Sequence, residues 1–279
     1  MLCCWPLFGV GYNGLMTITF IAAALVGVFI GLMSGLLGVG GGTIMVPMYR
    51  LAFGMSAVAS TATSLFTIIP TSISGIITHV RNKTCLPKLG LALGLGGACT
   101  SPLGVWLATI SPSWAIMVVA ALAIGYSAFS MMRKALVVPK SQQPRAGESA
   151  IERPEFTFKQ LAVGFAIGLA TGAISGYIGL GGGFLMVPLM LALIGIPMKL
   201  ASGTSLIAIM LLAIPGAIEH GILGNIDYVT GIATAIGTIP GAFAGARLVS
   251  RVPERTLRIL FSILLAIGAI LLVLREIAF

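Results

Sequence analysis

The chain has 279 residues, of which 58% are hydrophobic and only 8% charged, and its formal net charge is +9. Such a composition lies far outside that of soluble domains, and its apolar runs exceed the roughly 20 residues that span hydrocarbon, so the protein is a polytopic membrane protein with the lipid bilayer as its solvent. The basic residues sit in short stretches between apolar runs, where they report on orientation in the bilayer, and no nucleic-acid partner is expected.

In chain order, Met1 to Met16 carries no Lys or Arg, and no small-residue cleavage site follows, so a retained start is expected. The first apolar run covers about Thr17 to Leu37. It overlaps a glycine-rich block in which five of the eight residues from Gly35 to Gly42 are glycine. Each glycine costs a helix interior about 1 kcal/mol relative to alanine, so the helix is expected to break there. The next run, Thr43 to Phe53, has only 11 residues. At about 1.5 Å per residue it reaches roughly half way across hydrocarbon, the length of a half-helix or re-entrant segment. Longer runs follow at Ala57 to Thr78, Leu89 to Thr109 and Trp114 to Met132. Between Arg133 and Lys159 the composition turns to Pro, Ser and Gln with six basic residues and three glutamates, which reads as a linker. Beyond it come Gln160 to Ile178, the short Phe184 to Ile194, Leu200 to Ala217, Tyr228 to Val249 and Leu257 to Leu274.

The second half repeats the first. The 14 residues from Ser34 to Pro47 return from Ser175 to Pro188 with 9 identities at an offset of 141, and the same offset pairs Thr63-Ser64-Leu65 with Thr204-Ser205-Leu206 and His79 with His220. The expected fold is therefore an all-α polytopic membrane protein. Residues 17–133 and 159–276 form two repeats of about five segments each, joined by linker 134–158, and each repeat carries a Gly-rich broken or re-entrant helix. Equivalent loops exchange their charge. Arg81 to Lys88 holds three basic residues where Ile222 to Val229 holds none, while the uncharged Ile110 to Pro112 corresponds to a region with four arginines between Arg247 and Arg258. Parallel copies would keep equivalent loops on one side, so the exchange points to inverted topology. With five alternations per copy, 14 basic residues collect on one side and only Arg50 and Arg275 on the other. The first side, with the linker, is expected to be cytoplasmic and both termini outside, in a cell inner membrane; Trp5, Trp106 and Trp114 are interface anchors.

The polar inventory carries no catalytic constellation. The glycine block lacks the Gly-Lys-Ser/Thr of a phosphate loop, and Thr43 and Phe184 replace the third glycine of a dinucleotide fingerprint. Cys3, Cys4, Cys85 and Cys99 are not spaced for zinc. No enzyme activity, catalytic residue, metal or cofactor is expected. A broken helix in hydrocarbon leaves amides unpaired, which is tolerable where they line a wet cavity and useful where a small anionic substrate binds. The candidate binding residues are the amides around Gly40, Gly41 and Gly42 and around Gly181, Gly182 and Gly183, with the hydroxyls of Ser34, Thr63, Ser64, Ser175, Thr204 and Ser205. The segments opening near Ser60 and Ser202 would aim N-terminal dipoles at the same ligand. For any single hydroxyl, bonding to the preceding helical turn is the competing reading. His79, Glu219 and His220 are candidates for ion coupling, by H+ or Na+. Homo-oligomeric assembly is left open.

The paired Ser-Gly-x-x-Gly-x-Gly-Gly-Gly-x-x-Met-Val-Pro blocks, each followed by Thr-Ser and then His, resemble the sulfite exporter TauE/SafE family of membrane permeases, across nearly the whole chain. The resemblance implies a secondary transporter of sulfite, other sulfur oxyanions or organosulfonates, without a nucleotide-binding subunit. Two departures between the copies, Ala62 opposite Gly203 and Ser74 opposite Pro215, bear on the equivalence of the half-sites. A non-transporting membrane partner or assembly protein and an anion channel are the alternative readings.

Overall fold

The computed structural model describes residues 11–137 and 158–278. The readings made on Cys3, Cys4, Trp5 and residues 138–157 of the linker lie outside them. The described residues form ten helices and no strand: α1 (Gly11–Leu37), α2 (Gly42–Ala52), α3 (Ala57–Arg81), α4 (Pro87–Ile110), α5 (Ser113–Val137), α6 (Phe158–Ile178), α7 (Gly183–Leu189, continued by a wide turn over Met190–Ile194), α8 (Met198–Ile222), α9 (Tyr228–Leu248) and α10 (Glu254–Ala278). Eight of these are long and apolar enough to cross a membrane; α2 and α7 are the short pair.

The helix ends follow backbone chemistry more than apolarity. α3 continues past the expected Thr78 to Arg81. It is followed by Lys83 at φ 56°, and Pro87, which needs no helical N–H partner, opens α4. α5 runs past the expected Met132 and through Lys134, the first residue of the expected linker, to Val137, because charged residues with long stems are good helix formers. Lys134 Nζ donates to the Pro188 carbonyl at 3.2 Å and so ties α5 to α7. Asp227 caps α9, its Oδ1 accepting from the amides of Val229 and Thr230.

Two close parallel crossings hold the bundle. α1 lies along α9, with Gly31 against the Thr238 backbone and Gly245 against Leu32; α6 lies along α4, with Gly172 against Gly97 and Gly104 against Ala173. The two sets of contacts are equivalent at the repeat offset. Small residues let these backbones touch, which is how helices associate where lipid removes any hydrophobic difference between inside and out. Each repeat thus packs mainly through the other one.

Helix directions follow from the same contacts. α3 runs parallel to α9, since Thr63 Oγ1 meets the Asp227 amide at 3.0 Å and Ser74 Oγ meets the Ile239 carbonyl at 2.7 Å. α3 crosses its equivalent α8 antiparallel: Leu65 packs at Gly216, Leu206 at Gly75 and His79 at Gly203. Antiparallel equivalents are compatible with inverted repeats. One end of the bundle gathers basic groups. There Asn82 of the α3–α4 turn reaches the Ala246 carbonyl, and Lys199 reaches the Ser250 carbonyl beside the arginines of the α9–α10 turn. The opposite end holds Asp227.

Candidate functional site

Each glycine block is a tight reversal of the chain. The last turn of α1 closes with Gly38 N–H donating to the Ser34 carbonyl at 2.8 Å, after which Gly38, Gly40 and Gly41 take φ of 71°, 83° and 80°. Those left-handed values are strained for any side chain with a Cβ. α2 then restarts at Gly42, and the Gly41 carbonyl accepts from the Ile44 and Met45 amides. Gly41 lies against Ile30 and Ser34 of α1, so the chain has doubled back. Gly179, Gly181 and Gly182 repeat the geometry ahead of α7, with φ of 71°, 76° and 72°. The short segments are therefore returning half-helices, and α3 starts at the same end of the bundle as α1.

The two reversals meet. Gly42 packs on the Leu180 backbone, and Gly183 packs on the backbone of Gly38 and Val39. Gly40 and Gly181 both face Ile68 and Ile209, equivalent residues of α3 and α8 near the middle of their crossing. Every residue from Ser34 to Thr43 that belongs to this centre is buried, and so is its counterpart from Ser175 to Phe184 except the half-buried Tyr177. Among the described residues, no backbone carbonyl accepts from the amides of Gly40, Gly41, Gly42, Gly181, Gly182 or Gly183. The hydroxyls of Ser34 and Ser175, packed beside Gly41 and Gly182, are buried without a partner, as are those of Thr43 and Ser64. Buried polar groups are almost always satisfied, so a cluster of donors left open is a feature to be explained. The N-termini of α2 and α7 add positive partial charge at the same point. Neutral donors with apolar isoleucine walls suit a small anion that must also leave, because no full positive charge holds it.

The remaining sequence candidates are not brought to this centre. Thr63 and Thr204 use their Oγ1 atoms to accept from the Asp227 and Leu86 amides, each at 3.0 Å. Ser205 Oγ donates to the Gly38 carbonyl at 2.7 Å. Because α3 and α8 are antiparallel, Ser64 and Ser205 stand roughly 18 Å apart along the crossing, taking 1.5 Å per residue. The four hydroxyls of the two Thr-Ser pairs thus do not converge on one small ion. The helix starts expected near Ser60 and Ser202 lie earlier: Ser56 caps α3, Pro197 precedes α8, and Ser202 Oγ bonds back to the Met198 carbonyl at 2.9 Å. Arg247 stacks its guanidinium 4.1 Å above the Phe243 ring. His79 and His220 sit at opposite ends, both fully buried. His79 is bonded through both nitrogens; His220 Nε2 and Glu219 Oε2 have no partner. Ile68 and Ile209, which wall the centre, carry no chemical signal in the sequence, and only their pairing at the repeat offset could have marked them.

Comparison with known proteins gives one family and several relatives. The family model described as Sulfite exporter TauE/SafE matches residues 23–272. The chain is 29% identical over 247 residues to the "Probable membrane transporter protein YunE" of Bacillus subtilis (strain 168), covering 82% of this chain and 87% of that one. It is 27% identical over 249 residues to "Probable membrane transporter protein YdhB" of the same organism, covering 89% and 98%. A shorter match, 29% over 138 residues, reaches the Arabidopsis thaliana "Sulfite exporter TauE/SafE family protein 3", covering 48% of this chain and 27% of that one. No solved structure matches the chain.

Proposed function

The chain belongs to the sulfite exporter TauE/SafE family and is a multi-pass membrane transporter; on that premise we propose that it carries small sulfur oxyanions or organosulfonates by alternating access around the paired glycine reversals. The observation that carries this reading is the set of buried amides and serine hydroxyls left open where the reversals meet. Single buried hydroxyls such as Ser72 and Ser127 are unpaired elsewhere; what supports the reading is that several donors gather at one point, each costing about 1–3 kcal/mol while unmet. In this reading the amides of Gly40, Gly41, Gly42, Gly181, Gly182 and Gly183, with Ser34 and Ser175, contact the anion. Thr63, Thr204 and Ser205 hold the surrounding helices, and residues 17–133 and 159–276 are the two repeats.

The test is flux of labelled sulfite, thiosulfate and a sulfonate into proteoliposomes of the purified protein. Saturable uptake is expected, with Ser34→Ala and Ser175→Ala each weakening apparent affinity by roughly 0.5–1.5 kcal/mol, one lost hydrogen bond. No flux of any of these anions would favour the membrane-partner reading, and non-saturating flux would favour a channel.

We place the basic end of the bundle in the cytoplasm, with both termini outside, because 14 of the 16 Lys and Arg residues fall on that side of the alternation. Reporter fusions check this. A reporter that works only in the cytoplasm should be active at Gln143 and silent after Phe279; the reverse pattern would overturn the orientation.

A further inference from the structure

We propose that two equivalent hydrogen-bond latches close the two ends of the transport path in alternation: His79 to Gly35 with Ser205 to Gly38 at the basic end, and His220 to Gly176 with Ser64 to Gly179 at the opposite end. In this structure the first latch is made and the second is open. The inference rests on the transport reading above, and names the residues that switch it.

The repeat offset of 141 maps each member of one latch onto the other. At the basic end, His79 Nε2–H donates to the Gly35 carbonyl at 2.9 Å, its Nδ1 accepts from Thr84 Oγ1 at 2.7 Å, and Ser205 Oγ donates to the Gly38 carbonyl at 2.7 Å. These bonds fasten the last turn of α1, just ahead of the glycine reversal, to α3 and α8. At the opposite end, His220 Nδ1 accepts from Asn225 Nδ2 at 3.4 Å, which leaves its Nε2–H as a buried donor with no acceptor. Ser64 Oγ is likewise buried and unpaired. The last turn of α6, packed on α4, is bonded to α3 there by Thr61 Oγ1 to the Ile178 carbonyl at 3.3 Å.

The backbone frame around the latches is alike in the two repeats, although Thr61 bonds the Ile178 carbonyl where its equivalent Ser202 bonds the Met198 carbonyl, and Thr84 stands opposite Asn225. Neighbouring equivalent bonds match between the repeats: Asp227 N–H to Thr63 and Leu86 N–H to Thr204 are both 3.0 Å, and the glycine turns close at 2.8 and 2.7 Å. Two copies that share this backbone frame and differ in the bonds of His79 and Ser205 against His220 and Ser64 are in different states at those bonds. Exchange of the two states would satisfy His220 and Ser64 and release His79 Nε2, while Ser205 keeps the Ser202 carbonyl at 2.8 Å as its acceptor, so neither state is a deep trap. An anion at the shared centre then meets an opening at one end at a time.

Cys85, buried at the basic end beside Thr84, is a native reporter of the first latch. With Cys3, Cys4 and Cys99 changed to Ser, the full chain in proteoliposomes is labelled by a membrane-impermeant maleimide from each face. From the face next to the basic end, Ser205→Ala and His79→Gln are expected to speed Cys85 labelling about fivefold, the effect of one lost hydrogen bond on a two-state opening. Ser64→Ala and His220→Gln, which weaken the other latch, should leave it at or below the parent rate. Equal labelling in all four variants, or equal acceleration in all four, overturns the proposal; Ser205→Ala against Ser64→Ala suffices if a histidine variant does not fold. Sulfite and sulfonate flux is read on the same preparations. Flux without the labelling contrast sinks the latches alone, whereas the contrast without any flux keeps the switch and sinks the transport reading.

Discussion

Gly237→Val should leave no folded protein. A Cβ at Gly237 would collide with the Ala24 carbonyl of α1 and come within 3.0 Å of the Val28 amide, both of them backbone atoms that no rotamer change can move. α1 and α9 touch along a whole stripe, with Gly241 on Val28 and Gly245 on Leu32, so relief at one point would lift the crossing along its length. Overpacking a core side chain costs about 1–3 kcal/mol. Forcing two backbones apart should cost more, against a total stability of only about 5–15 kcal/mol. Gly125→Val is the control, since nothing lies within 4 Å of a Cβ there. Elution from size exclusion in detergent and a thermal melt separate the two variants. A Gly237→Val protein that elutes and melts like its parent would show that the α1–α9 contact is not what holds the bundle.

Gly41→Ala and Gly182→Ala should do the opposite, cutting transport at least about tenfold while the protein still folds. At Gly41 the atoms nearest a Cβ would be Ile30 Cγ2 and Met45 Cε, each at 3.1 Å, and Ser34 Cβ at 3.7 Å, and at Gly182 Leu212 Cδ2 at 3.3 Å, Ser175 Cβ at 3.4 Å and Met186 Cε at 3.6 Å. Such side-chain ends can yield by a few tenths of an ångström. What cannot yield is φ, which stands at 80° and 72°. Holding alanine there costs about 1–2 kcal/mol, and relaxing it rotates the flanking peptide planes and with them the donors that face the site. A hydrogen bond to a charged ligand contributes roughly 1.5–3 kcal/mol, so one misaimed amide accounts for tenfold or more. Gly42→Ala and Gly183→Ala supply the contrast, because their Cβ atoms would meet the Leu180 carbonyl at 2.6 Å and the Gly38 carbonyl at 2.5 Å and should damage fold and transport together. Flux compared with melting temperature for all four variants decides the matter. Loss of transport in strict proportion to stability at Gly41 and Gly182 would make the reversals packing devices only.

Much of this fold is legible in the sequence. Ten apolar runs became ten helices because a segment in hydrocarbon has to satisfy its own backbone, which leaves helix as the local answer. The two short runs were marked by length, and the block between Gly35 and Gly42 marked the break, because glycine both disfavours helix and admits positive φ. The repeat at an offset of 141 predicted that the two glycine blocks would be equivalent. The reach of that reading ended at pairings between distant residues. Thr63, Thr204 and Ser205 looked like ligand hydroxyls and proved to be partners of backbone groups on neighbouring helices, since a hydroxyl's role depends on what stands opposite it. Ser34 and Ser175 look no different in sequence, yet the fold leaves them unpaired beside the reversals.

By itself, then, the sequence determined the solvent, the helices, the duplication and the places where the chain must turn, all of which depend on composition and on residues near one another along the chain. Only the tertiary structure decided that α1 packs on α9 and α6 on α4, so that each repeat is completed by the other. It also decided that the half-helices turn back toward a common centre, and that equivalent bonds are made at one end and unmade at the other. These outcomes come from close approach between surfaces more than a hundred residues apart in the chain, where a missing Cβ or one carbonyl in reach selects the partner, and no local pattern encodes which surface will be there.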